Sequence, residues 1–243
     1  MKGSRRAILL RVEGREWNAD YVNQERYDDP ARASSLWGKV RSPEVLVVRP
    51  IEFFFDFSSP YSYLAATQLP AIAARTGASI EWKPFVLYAV FKATENQMPA
   101  RVPAKAQYML KDLERWARHY NVGFRFNSRF PVNAIKAMRL VIAAEDQGRA
   151  AETALAIFKA VWAEDRDVTD PKELAAIAEQ AGLDVERAMA AIESQEVKDR
   201  LRAYTDDATR RGAFGAPAIF VGDELFWGND RLHFVEEAVK GSS

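Results

Sequence analysis

Cysteine is absent from this chain of 243 residues. Disulfides, zinc–thiolate sites, thiol redox chemistry and a protein-borne cysteine nucleophile are therefore excluded. Any thiol chemistry here needs a thiol that arrives with a ligand. Net charge is also absent. Lysine plus arginine and aspartate plus glutamate both number 34, so no overall field draws nucleic acid or an anionic membrane. No apolar run approaches the ~18 residues that span a bilayer. The short patch Ala7–Val12 is soon followed by acidic residues and lacks the apolar region of a secretory signal, so a cytoplasmic location is expected. Histidine is scarce. His119 and His233 sit in helical stretches and read as surface or structural residues, which leaves little support for a catalytic triad or a metal site.

What is present is core-forming material. Hydrophobic residues make up 48%, with six Trp and fourteen Phe. Residues 1–44 are charged and weakly periodic, with a turn at Asp28-Asp29-Pro30, and read as an N-terminal extension. From Glu44 to Phe57 the chain is rich in Val, Ile and Phe, a buried strand interrupted by Pro50 or starting near Ile51. Ser59-Pro60 follows at once, serine as a helix N-cap and proline in the first turn. Gly77 ends that helix, and Ser79–Val86 predicts a second strand, completing a βαβ unit.

The period then changes. From Pro103 to about Arg211 nearly everything predicts helix, with Met109, Leu113, Trp116 and Tyr120 at intervals of four, three and four. A break from Val122 to Pro131 carries several aromatics, and Asp170-Pro171-Lys172-Glu173 forms a capping box. Strands return at Pro217–Val221 and Glu224–Trp227 around a Gly222-Asp223 turn, and a last helix runs from about Asp230 to Val239. The expectation is an α/β, thioredoxin-like βαβ-ββα fold with a large all-helical insertion. Residues 45–98 and 212–243 would form the thioredoxin-like domain and 99–211 the inserted helical domain.

In such a sheet, ligands bind beyond the carboxyl ends of the strands, where helix N-termini point. Ser59 lies there, and the helix dipole favours an anion beside it. That dipole is worth up to ~2 kcal/mol, and a tenfold change in ionisation corresponds to about 1.4 kcal/mol. A helix end plus a serine hydroxyl could together make a bound thiol largely thiolate near neutral pH. As a bland reading, Ser59 is only a cap.

Ser59-Pro60-Tyr61-Ser62 has the spacing of a Cys-Pro-x-Cys redox motif with both sulfurs replaced by oxygen. Gly215-Ala216-Pro217, leading into a strand, would be its second half. With Phe55–Ala65, Arg115-Trp116-Ala117, Phe130–Asn133 and the Trp227–Leu232 stretch, residues 51–239 resemble the 2-hydroxychromene-2-carboxylate isomerases, relatives of kappa-class glutathione transferases and DsbA-type oxidoreductases. The resemblance implies glutathione as cofactor, a small aromatic-derived carboxylate as substrate, and a homodimer. It implies that Ser59 stabilises the glutathione thiolate and that Ala216, before a cis Pro217, pairs through its backbone with the cysteinyl part. Trp227, Gly228, Asn229 and Asp230 would hold the tripeptide. Lys92, Arg101 and Phe130 would border the substrate. Two other readings stay open: a kappa-like transferase or peroxidase, and a non-catalytic DsbA-like binding module.

Overall fold

The computed structural model describes residues 48–241 and two short strands before them, residues 9–12 and 15–18. Those strands, β1 (Leu9–Val12) and β2 (Arg15–Asn18), pair antiparallel with Leu9 opposite Asn18 and Val12 opposite Arg15. They belong to a unit of their own, Met1–Val47. The turn expected at Asp28-Asp29-Pro30 lies outside the described residues.

The second unit is built on a four-stranded sheet of order β4-β3-β5-β6. β3 (Ile51–Phe55) is buried at every position except Glu52, as a strand covered on both faces must be. It runs parallel to β4 (Ile80–Pro84), with Ile51 opposite Ile80, and antiparallel to β5 (Ala218–Val221), with Ile51 opposite Val221. β6 (Glu224–Trp227) pairs antiparallel with β5 and closes the other edge. This is the mixed sheet of the thioredoxin fold.

Between β3 and β4 lies α1 (Pro60–Thr76), capped by Ser59 and ended by Gly77 at φ 75°. Only glycine adopts that left-handed conformation without steric cost. The helices α2 (Leu87–Ala93), α3 (Pro103–His119), α4 (Ile135–Glu145), α5 (Ala150–Trp162), α6 (Pro171–Gln180), α7 (Val185–Ala191) and α8 (Gln195–Arg210) follow β4. The chain then returns to β5 and β6 and ends in α9 (Leu232–Lys240). None of the described helices is long and apolar enough to cross a membrane.

One buried cluster runs from the sheet into the helical block. Phe158 of α5 meets Phe55 and Phe57 at ring-centroid distances of 5.3 and 4.6 Å. Trp162, fully buried, donates its indole N–H to Phe57 O at 2.8 Å. Truncating an aromatic in such a place costs about 3–5 kcal/mol. The bond from Trp162 therefore fixes the helices against the end of β3, where the chain turns into the Ser59 loop. On the other sheet face a smaller cluster packs Phe54 and Phe220 against Phe85, Val90 and Ala208.

Candidate active site

The site forms where β3 ends and α1 begins. Ser59 is buried, with φ −97° and ψ 111°, and its Oγ accepts the Ser62 amide at 3.2 Å. Pro60 has no N–H, so the first donor that α1 can offer is the Tyr61 amide. Ser59 Oγ also donates to Ala216 O at 3.1 Å, across 157 residues of sequence. The capping role and the site role thus coexist in one hydroxyl. Because that hydroxyl has one proton, stabilising an anion requires it to turn from Ala216 O towards the anion.

The Ala216–Pro217 peptide bond is cis. Two glycines flank this strip for steric reasons. A Cβ on Gly215 would lie 2.5 Å from Trp227 Nε1, so only glycine lets the indole approach the backbone. Gly228 sits at φ 98° and ψ 161°, a region open essentially to glycine alone, and its Cβ would lie 2.6 Å from Asp230 Oδ1. Its amide donates to Pro217 O at 3.1 Å. Asn229 is buried, and its carbonyl accepts the Tyr120 hydroxyl at 2.7 Å, which ties the end of α3 to the site. Asp230 is exposed beside Arg231.

Behind the loop, Asp56 is buried. Its Oδ1 accepts the Ser58 amide and hydroxyl, both at 2.8 Å, and its Oδ2 accepts the Leu87 amide at 2.9 Å. Burial pushes its pKa above the ordinary carboxylate range, although those three donors pull it down.

Ser59, Ala216, Trp227, Gly228, Asn229 and Asp230 all line one cavity of about 670 Å³. Phe130 lines it as well, whereas Pro217, buried next to Ala216 in the chain, does not. The structure does not bring Lys92 or Arg101 into this wall. Lys92 is exposed in the last turn of α2, and Arg101 is exposed in the short 3-10 turn Pro99–Arg101. The charged side chains in the lining are Lys105, Asp112 and Asp230. Sequence reasoning missed Lys105, Tyr108 and Asp112 of α3. Their signal was the helical spacing they share with Met109 and Trp116, which puts a polar stripe beside the apolar one.

Tyr61 reaches across from α1 and donates its hydroxyl to Asp112 Oδ2 at 3.2 Å. Burial first, and then the Asp112 charge and this hydrogen bond, raise the Tyr61 pKa well above its ordinary value. The cavity therefore has a hydroxyl and a helix N-terminus at one point, a half-buried backbone strip at Ala216, a carboxylate at Asp230, and a largely aromatic and apolar remainder. That arrangement can seat a peptide-like ligand with an ionisable group at Ser59 and leave space for a second, flatter molecule.

Residues 50–240 match the DsbA-like thioredoxin domain family. A 2-hydroxychromene-2-carboxylate isomerase of Sphingobium xenophagum is 38% identical over 192 residues, covering 78% of this chain and 97% of the relative. Glutathione S-transferase kappa 1 of Homo sapiens is 27% identical, over 77% of this chain and 89% of the relative. A solved selenomethionine structure of a 2-hydroxychromene-2-carboxylate isomerase superposes with a TM-score of 0.71 at 31% identity, covering 77% of this chain and 93% of that one. The chain belongs to the 2-hydroxychromene-2-carboxylate isomerase family, built on the DsbA-like thioredoxin domain.

Proposed function

We propose that this protein is a glutathione-dependent isomerase that interconverts 2-hydroxychromene-2-carboxylate-type hemiketals and the open trans-o-hydroxybenzylidenepyruvate-type keto acids. The observation that carries this reading is the pairing of the buried Ser59 hydroxyl with Ala216 O inside a cavity of about 670 Å³, in a chain with no cysteine of its own. A cavity of that size falls in the range of ligand sites, ~300–1,000 Å³, and has room for a tripeptide and a bicyclic acid.

The residues present fit glutathione. Ser59 and the Tyr61 amide would face its sulfur, the Ala216 backbone its cysteinyl unit, and the Asp230 carboxylate its α-ammonium group. Trp227 and Asn229 would support the same end. Bound there, glutathione supplies a thiolate whose reversible addition to the conjugated double bond permits rotation and is then undone.

The protein's own residues orient the reactants and exclude water. Ser59 donates to the sulfur anion and need not act as a nucleophile. Phe130, Met109 and Trp116 give the substrate rings an apolar wall, and Lys105 offers the one positive charge in the lining among the described residues. Lys105 therefore takes, in this reading, the substrate-carboxylate role that the resemblance gave to Lys92 and Arg101, neither of which lines the cavity. The kappa-class relatives support a transferase as the second reading, because the same half-site would serve it.

The test is turnover of 2-hydroxychromene-2-carboxylate, followed by absorbance with and without glutathione. Equilibration that depends on glutathione without consuming it supports the isomerase. Stoichiometric loss of glutathione into a conjugate favours the transferase.

A further inference from the structure

The roles given to Lys105 and Asp230 leave one charged group of the cavity wall unused. Asp112 on α3 accepts the Tyr61 hydroxyl on Oδ2 at 3.2 Å and the Tyr108 hydroxyl on Oδ1 at 3.4 Å. All three side chains line the cavity. Among the described residues, no lysine, arginine or histidine forms an ion pair with Asp112. A carboxylate without a cation, supported by phenols from two different elements, is an acceptor site. It calls for a ligand with a proton to give. Tyr61 holds its own proton towards Asp112, which leaves its oxygen able to accept from a ligand hydroxyl.

We propose that Asp112, acting through Tyr61, takes the proton of the substrate's hemiketal hydroxyl during ring opening, an inference that rests on the isomerase reading above. The hemiketal proton passes to the Tyr61 oxygen as the Tyr61 proton passes to Asp112. The electron pair of the broken O–H bond becomes the new C=O bond, and the ring C–O bond breaks with its pair on the aryl oxygen. Asp112 then returns the proton through Tyr61 to that aryl oxygen, giving the phenol. Ring closure is the reverse. Protons and electrons balance without an oxidant or a co-reactant. Tyr61 is the catalytic contact, and Asp112 and Tyr108 are positioning residues behind it.

The test uses the full chain with glutathione and 2-hydroxychromene-2-carboxylate. A positioned proton carrier contributes ~10²–10⁴-fold to rate. Asp112→Asn should lower kcat by about 10²-fold, with KM, glutathione affinity and the ionisation of the bound thiol unchanged within about twofold. Tyr61→Phe should give the same loss. The double variant should be no worse than either, because residues acting as one unit are non-additive. Tyr108→Phe should have a smaller effect. If Asp112→Asn weakens glutathione binding and leaves kcat intact at saturation, Asp112 holds the cofactor, and the relay fails while the isomerase reading stands. If Asp112→Asn does not fold, Tyr61→Phe decides the matter by the same split between kcat and KM. If the wild type shows no turnover, the isomerase reading and the relay fall together.

Discussion

Asp56 Oδ2 accepts the Leu87 amide at 2.9 Å, tying the end of β3 to the first residue of α2. The other oxygen holds the Ser58 amide and hydroxyl, so one buried carboxyl fixes two stretches of the cavity wall. Burial raises its pKa above the ordinary value near 3.8. The folded state thus holds this proton more tightly than the unfolded chain does. The stability it contributes is fully present below the unfolded pKa and is lost as pH rises through the higher folded pKa. Denaturant unfolding of wild type and Asp56→Asn across pH checks this. The free-energy difference, wild type minus variant, should fall as pH rises from about 4, and a flat difference would contradict it.

Gly228 permits no side chain without strain. Gly228→Ala meets Asp230 Oδ1 at 2.6 Å in a backbone region that costs a non-glycine residue about 1–3 kcal/mol. The variant should lose about that much stability and bind glutathione more weakly, because Asp230 must move. Thermal melting together with calorimetry measures both. Unchanged binding would remove Asp230 from the cofactor site.

How far the sequence was legible depends on what each residue was asked to show. Ser59-Pro60 marked the start of α1 because capping chemistry is local, and Gly222-Asp223 marked the β5–β6 turn for the same reason. Of the two starts open to the strand before α1, β3 takes the one near Ile51 and ends at Phe55, while residues 44–47 lie outside the described residues. Helix α2 escaped notice because Val86 makes no side-chain cap. Of the candidate site residues, Ser59, Phe130, Ala216 and Trp227–Asp230 came together around one cavity. Lys92 and Arg101 did not join them, because the orientation of α2 and the following turn is a tertiary property. Asp112 went unassigned for a related reason: its helical spacing marks a polar stripe, but a carboxylate on an amphipathic helix looks like solvated surface until α1 places Tyr61 against it.

Lys105 is the cation of the cavity lining. An ion-assisted hydrogen bond to a substrate carboxylate is worth about 1.5 kcal/mol or more. Lys105→Met should therefore raise KM for the chromene carboxylate about tenfold with glutathione affinity unchanged, while Lys92→Met leaves KM alone. Steady-state kinetics on the two variants separate them. An effect from Lys92→Met and none from Lys105→Met would reverse the assignment.

The central claim is that Ser59 stabilises a thiolate that the protein itself cannot supply. Its most direct test is glutathione calorimetry on wild type and Ser59→Ala, with ionisation of the bound thiol followed by ultraviolet thiolate absorbance against pH. The account predicts that both proteins bind and that only the wild type holds the thiol's pKa below its free value. Absence of binding by the wild type, or equal thiol ionisation in the two proteins, would contradict it.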